Sequence, residues 1–291
     1  MAKSNLKVKK TEPKASLKVV DKNSIKTTSY SDINLKAWRD YDHVKTETLW
    51  EFPNRLNEGG HSNEYHGNYI PQIAQQIYER YSKKDDVVLD LFFGSGTSGI
   101  EAINMNRRCI GVELKDELAE SVSEKFTPKQ LVTDVNIICA DSTSELAVDK
   151  IKARLDIMGE EKAQFLMLHP PYDDIIKFSD KKEDLSNCAT TEEFYDLFEK
   201  VAKNGYDLLE KGRFACLIIG DKYANSQHIP LGFECMARMN KLGFITKAII
   251  IKDMQGNERA KGKTANLWRY RALAGGFYIF KHEYVMVFQK P

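Results

Sequence analysis

The stretch Val87-Val-Leu-Asp90-Leu-Phe-Phe-Gly94-Ser-Gly96-Thr-Ser-Gly99-Ile-Glu-Ala102 starts as a short apolar run and ends it in an acid. Three glycines follow, and the chain then takes on helical character. A strand, a tight turn and a helix start, in that order, open a nucleotide-binding α/β unit. Gly94, Gly96 and Gly99 let the backbone take positive φ and approach a ligand closely. Free amides at the helix start favour an anionic group. The Gly-x-Gly-x-x-Gly spacing also suits NAD, so alone it leaves the ligand open. No Lys-Ser/Thr pair follows the glycines, which argues against an ATP-binding P-loop.

Outward from this unit, strands and helices alternate. Upstream, Pro71 to Ser82 reads as a helix with Ile73, Ile77, Tyr78 and Tyr81 on its apolar face. The segment before it, Leu49 to Ile70, is aromatic and polar and reads as an ordered loop over a sheet. Downstream, strands are predicted at Val87–Phe92, Arg108–Glu113, Val135–Asp141, Phe165–Leu168, Arg213–Gly220, Phe244–Ile251 and Glu283–Gln289. Helices are predicted at Asp116–Lys125, Leu146–Met158, Thr191–Lys211 and Leu231–Leu242, with Gly212 stopping the third. This alternation describes one doubly wound, Rossmann-like α/β sheet of seven strands. Ligands of such sheets sit beyond the carboxyl ends of the strands. Asp90, Glu113, Asp141 and His169 should therefore crowd one pocket. Glu113 lies about 20 residues beyond Gly94, the spacing at which an acid grips a ribose diol.

Composition sets the outer limits. Across 291 residues, 42% hydrophobic and 29% charged content are ordinary for a globular protein, and the net charge is +1. Overall charge therefore does not point to nucleic acid, but its distribution is uneven. Met1 to Lys36 holds nine lysines against three acids. Residues 1–45 are read as a basic, flexible or partly extended arm, and residues 46–291 as one catalytic domain. Five scattered cysteines have no paired metal spacing, and no leader is read, so a reduced cytoplasmic setting without a metal is expected. No apolar run is long enough to span a bilayer.

The fourth predicted strand runs straight into His169-Pro170-Pro171-Tyr172. Together with Asp90-Leu-Phe-Phe-Gly-Ser-Gly-Thr97, this resembles the S-adenosylmethionine-dependent DNA amino-methyltransferases. They carry Asp-x-Phe-x-Gly-Ser-Gly-Thr and (Asp/Asn/Ser)-Pro-Pro-(Tyr/Phe) at these places. The resemblance runs from about Glu51 to Pro291 and includes Gly67-Asn-Tyr-Ile-Pro-Gln before the first helix. It implies a class I methyltransferase sheet whose last strand is antiparallel. S-adenosylmethionine is the implied cofactor, held by Asn68, Tyr69, Asp90, Phe92, Gly94, Ser95, Gly96, Thr97, Glu113 and Asp141. Among these, Glu113 would take the ribose and Asp141 the adenine amino group. His169, Pro170, Pro171 and Tyr172 are the implied catalytic residues.

The chemistry accounts for these residue types. An exocyclic amine on adenine or cytosine is a poor nucleophile, because its lone pair is conjugated with the ring. Two acceptors aimed at its hydrogens pull the nitrogen toward tetrahedral geometry and free the lone pair. The Pro170 carbonyl can be one, its direction fixed by consecutive prolines. The side chain at 169 can be the other, since a neutral imidazole keeps one acceptor nitrogen. Tyr172 can stack on a target base flipped out of the duplex. In the family, Ser at position 169 goes with cytosine and Asp or Asn with adenine. His departs from both, leaving the base undecided with adenine slightly favoured.

Double-stranded DNA is the implied partner, with a homodimer or a recognition subunit as further possibilities. Lys177, Arg259, Lys261, Lys263, Arg269 and Arg271 are the candidate DNA contacts, the last five interleaved with Trp268 and Tyr270 between the sixth and seventh strands. Small target-recognition insertions are expected near 173–187 and 253–276. Three other readings stay open: methylation of RNA or another amine, an NAD-dependent oxidoreductase, and an inactive DNA-binding relative.

Overall fold

The computed structural model describes residues 25–61, 65–254 and 265–291. Its centre is an eight-stranded sheet in the order β1-β9-β10-β6-β5-β2-β3-β4. These strands are β1 (Leu49–Trp50), β2 (Val87–Asp90), β3 (Arg108–Glu113), β4 (Val135–Cys139), β5 (Ala163–Leu168), β6 (Leu209–Ile219), β9 (Ile245–Asp253) and β10 (His282–Gln289). A small hairpin, β7 (Lys222–Ala224) and β8 (Gln227–Ile229), stands apart. The helices are α1 (Pro71–Tyr81), α2 (Thr97–Asn104), α3 (Asp116–Ser123), α4 (Pro128–Thr133), α5 (Glu145–Ile157), α6 (Thr191–Leu208), α7 (Leu231–Lys241) and α8 (Ala265–Gly275).

Strand direction follows from the connections. β2, β3, β4, β5 and β6 pair in parallel because helices carry the chain back between them. The last strand, β10, is inserted antiparallel between β6 and β9, as expected. Its amino-terminal end therefore lies at the same edge of the sheet as the carboxyl ends of its neighbours.

The pleat explains the continuous apolar runs. Val87, Leu89, Leu166 and Leu168 face one core with α5, α6 and α7, while Val88, Phe165 and Met167 face the other with α1 and Phe93. Covered on both sides, the central strands show no polar alternation.

The sheet has eight strands where seven were expected. The extra one, β1, lies in the segment read as loop and pairs Leu49 with Ile251 and Trp50 with Lys252. Two residues are too few to carry a strand period; Trp50 is held by burial and by its indole N–H donating to the Glu47 carbonyl at 3.0 Å. The helix expected to reach Lys211 ends at Leu208, because Leu209 already starts β6 and is buried. Within the basic stretch 253–276, the run of helix formers Ala265–Gly275 forms α8.

The second half of the expected arm is docked. Tyr30 packs edge-on against Phe214 at 4.7 Å, and the buried Ser31 hydroxyl donates to the Glu79 carbonyl at 3.1 Å. A 3-10 turn over Leu35–Tyr41, capped by Asn34, continues from there. Residues 1–24 lie outside the described residues.

Candidate active site

A cleft opens beyond the carboxyl ends of β2, β3, β4 and β5. Gly94, Thr97, Glu113 and Asp141 line one end of it, and His169, Pro170, Pro171, Tyr172 and Glu283 the other. Asn68, Tyr69 and Phe92 also line it, as do Tyr65 and Phe178.

At the first end the polar groups are organised by main-chain amides. Glu113 accepts from the Gly94 amide and from the Lys115 amide, each at 2.9 Å. Burial pushes its carboxyl up to about 7, and the two amides oppose that shift. Asp141 accepts from the Thr143 amide at 2.8 Å and the Thr143 hydroxyl at 2.7 Å. Gly96 caps α2 with φ 82°, a conformation that L side chains resist. A Cβ there would come within 2.6 Å of Val122 Cγ1.

Asp90 stands behind the cleft wall. It is buried, accepts from the Phe92 amide at 2.8 Å and takes the Ser98 hydroxyl on its other oxygen. Burial raises its carboxyl to about 6 against those bonds. The acid that ends β2 thus shapes the glycine loop from within. Ser95 is also turned away, donating its hydroxyl to Asn68 Oδ1 at 2.5 Å. The Arg55 guanidinium holds the carbonyls of Asn68 and Tyr69 at 3.3 and 3.0 Å, fixing that segment beside the loop.

At the second end, side chains from three strands meet. His169 follows β5, and its Nε2 lies 3.3 Å from the Tyr172 hydroxyl. The Tyr172 hydroxyl donates to Glu283 Oε2 at 2.9 Å, and Glu283 Oε1 pairs with Lys252 Nζ at 3.0 Å. Lys252 and Glu283 are both buried and face each other directly across β9 and β10. Burial lowers the His169 pKa to about 4; Glu283 opposes this and Lys252 adds to it. The Tyr172 hydroxyl is pushed well above its ordinary value by burial and by Glu283. Tyr69 stands edge-on to the His169 ring at 5.2 Å. Gly220, just past β6, lies against the Tyr172 ring, where a Cβ would be 2.9 Å from it.

Sequence reasoning missed Glu283 and Lys252. Glu283 begins a predicted strand rather than ending one, so the rule about strand carboxyl ends passes over it. The signal was available: in an antiparallel last strand, the first residue reaches the edge where the other strands finish.

Among the described residues, the basic candidates Lys177, Arg269 and Arg271 do not line the cleft. Lys177 is exposed and paired with Asp180 at 2.6 Å. Arg269 and Arg271 are exposed on α8, with Arg271 over the Trp268 ring at 5.2 Å. Arg259, Lys261 and Lys263 lie outside the described residues. Among the described residues no group of three His, Cys, Asp or Glu side chains could hold a metal. No helix among them is long and apolar enough to cross a membrane.

A family model described as DNA methylase matches residues 2–124 and 163–291. Over 100 residues the chain is 32% identical to a probable type III restriction-modification enzyme HindVI Mod subunit of Haemophilus influenzae, covering 33% of this chain and 13% of that one. Over 85 residues it is 43% identical to the type II methyltransferase M.SmaI of Serratia marcescens, covering 29% of this chain and 28% of that one. The chain thus spans a minor part of the length of these relatives. Among solved structures, TrmN from Thermus thermophilus aligns with a TM-score of 0.49 and 15% identity, over 78% of this chain and 50% of that one.

Proposed function

The chain belongs to the DNA methylase family, and from that membership we propose that it methylates an exocyclic amino group of a base flipped out of duplex DNA. The observation that carries this reading is one cleft with an acid-and-glycine end and a His-Pro-Pro-Tyr end.

The family's methyl donor is S-adenosylmethionine. The first end of the cleft fits it. Gly94 leaves the loop without a side chain, and two carboxylates at successive strand ends suit a diol and an amine. Glu113 would take the ribose hydroxyls and Asp141 the adenine amino group. Gly94 and Thr97 would flank the methionine end, with Asn68, Tyr69 and Phe92 along the walls. When bound, the cofactor supplies an electrophilic methyl group on a sulfonium.

Everything else is done by the chain. The Pro170 carbonyl and the His169 ring accept the two hydrogens of the target amine. This draws the nitrogen lone pair out of conjugation with the base. Both acceptors stand at the end of β5, where the rigid sheet positions them before substrate arrives, so little reorganisation accompanies the reaction. Tyr172 offers its ring to the base. The low pKa of His169 keeps it neutral, and so able to accept, throughout the physiological range. Arg269 and Arg271 on α8, Lys177, and the basic segments outside the described residues are the candidate phosphate and base contacts.

The test supplies the protein with methyl-labelled S-adenosylmethionine and duplex DNA, transfer RNA or a protein mixture. Label in the DNA alone, released as N6-methyladenine or N4-methylcytosine on digestion, is the expected result. Label in RNA or protein alone overturns the DNA reading.

A further inference from the structure

We propose that Glu283, acting through Tyr172, sets the tautomer of His169 so that Nδ1 is the nitrogen that accepts from the target amine. This rests on the reading above, in which His169 is an acceptor. It assigns Tyr172 and Glu283 as positioning residues for that task.

The hydrogens available along the chain of contacts select one tautomer. Glu283 is ion-paired with Lys252 at 3.0 Å, so both its carboxylate oxygens are acceptors. A tyrosine hydroxyl has one hydrogen. With Glu283 Oε2 2.9 Å away, that hydrogen lies on the Tyr172–Glu283 bond, a charge-assisted contact and the stronger of the two open to it. Toward His169 the Tyr172 oxygen can then only accept. Nε2, 3.3 Å away, must carry the ring proton and donate it. A neutral imidazole has one N–H, so Nδ1 keeps its lone pair.

The opposite tautomer would point an N–H at the amine and abolish the role. Without the relay, nothing in these contacts selects between the tautomers. The relay also accounts for a buried Lys–Glu pair behind the His169 end of the cleft. Such a pair is weak support for stability. Here it holds an acceptor where a neutral side chain could present a donor.

Glu283→Gln tests the polarity. Lys252 remains a donor, so it takes the Gln oxygen and leaves the amide NH2 facing Tyr172. The tyrosine hydrogen then turns toward His169, and the ring proton moves to Nδ1. Two-bond proton–nitrogen spectra of the full chain, labelled in its six histidines, distinguish the tautomers without substrate or cofactor. The signal missing from His169→Asn identifies the residue.

Wild type is expected as the Nε2–H form and Glu283→Gln as the Nδ1–H form. Tyr172→Phe removes the bond and should leave a mixture. The turnover rate on DNA should fall more in Glu283→Gln than in Tyr172→Phe, on the order of tenfold or more relative to wild type, with the KM for DNA little changed. An Nδ1–H wild type overturns the proposal. So does an Nε2–H signal that persists in both variants. If Glu283→Gln does not fold, the Tyr172→Phe spectrum decides alone: a mixture supports the relay and a pure Nε2–H form overturns it. A wild type that shows the expected tautomer but methylates no DNA refutes the DNA reading and leaves the relay standing.

Discussion

The two ends of the cleft are built on different principles. At the Glu113 end, carboxylates are satisfied by amides and a hydroxyl within a few residues of the strand ends. At the His169 end, the side chains depend on one another across β5, β9 and β10. The first arrangement is local but for one link, the Gly94 amide to Glu113, which joins the ends of the adjacent strands β2 and β3. The second exists only when distant strands are in register. Damage at the first end should therefore appear as weaker cofactor binding, and damage at the second as slower chemistry.

The largest effect belongs to His169. On the proposed reading, in which His169 is one of two transition-state acceptors, His169→Ala should cost on the order of 10²-fold or more in single-turnover rate. His169→Asn keeps an acceptor and should retain part of the activity. Equal rates for His169→Ala and wild type would leave the Pro170 carbonyl working alone and erase the contrast between the ends.

The pH dependence sharpens the same contrast. An exposed imidazole titrates near about 6.5, but burial takes His169 down to about 4. Protonation turns its acceptor nitrogen into a donor. At saturating cofactor the single-turnover rate should therefore hold steady through pH 6.5 and fall only as pH drops through about 4. Glu113 behaves oppositely, since burial takes it up to about 7. It loses acceptor capacity as pH drops through 7, so cofactor affinity should decline there while the saturated rate does not. A rate limb at 6.5 that vanishes in His169→Asn would show that the ring is more hydrated than its packing indicates.

Glu113→Ala comes next. It should weaken S-adenosylmethionine binding by about 2 kcal/mol, the scale of charge-assisted hydrogen bonds, with little change in the saturated rate. Calorimetry gives the first and single-turnover kinetics the second. A large loss of rate at saturation would mean that the two ends do not act separately.

Gly96→Ala tests the loop rather than the ligand. A left-handed residue with a Cβ 2.6 Å from Val122 should destabilise the fold by about 1–3 kcal/mol, read by denaturant melts. An unaffected melt would show that the glycine turn adjusts freely.

The smallest effect is expected at the surface. If Arg269 and Arg271 contact phosphates, each alanine variant should flatten log K against log salt by roughly 0.9. An unchanged slope moves the DNA path off α8.

Much of the site nearest the glycines was legible because its information is local. Three glycines, an acid about 20 residues on and two consecutive prolines each constrain a few neighbouring bonds, and periodicity marked the major strands. Asp90 shows the limit. Its place at a strand end was readable, but the Ser98 hydroxyl and the Phe92 amide turn its carboxylate inward. Strand β1 shows another, since two residues form a strand only where Ile251 and Lys252 offer an open edge.

By itself the sequence determined the alternation of strands and helices, the glycine turn and the rigid His-Pro-Pro-Tyr corner, because dihedral limits and hydrophobic period act over a few residues. Tertiary structure alone decided that Glu283 meets Tyr172 and that Lys252 meets Glu283. The corner at 169–172 shares no local rule with residues 252 and 283, and only an antiparallel strand placed between β6 and β9 brings Glu283 within reach of both Tyr172 and Lys252.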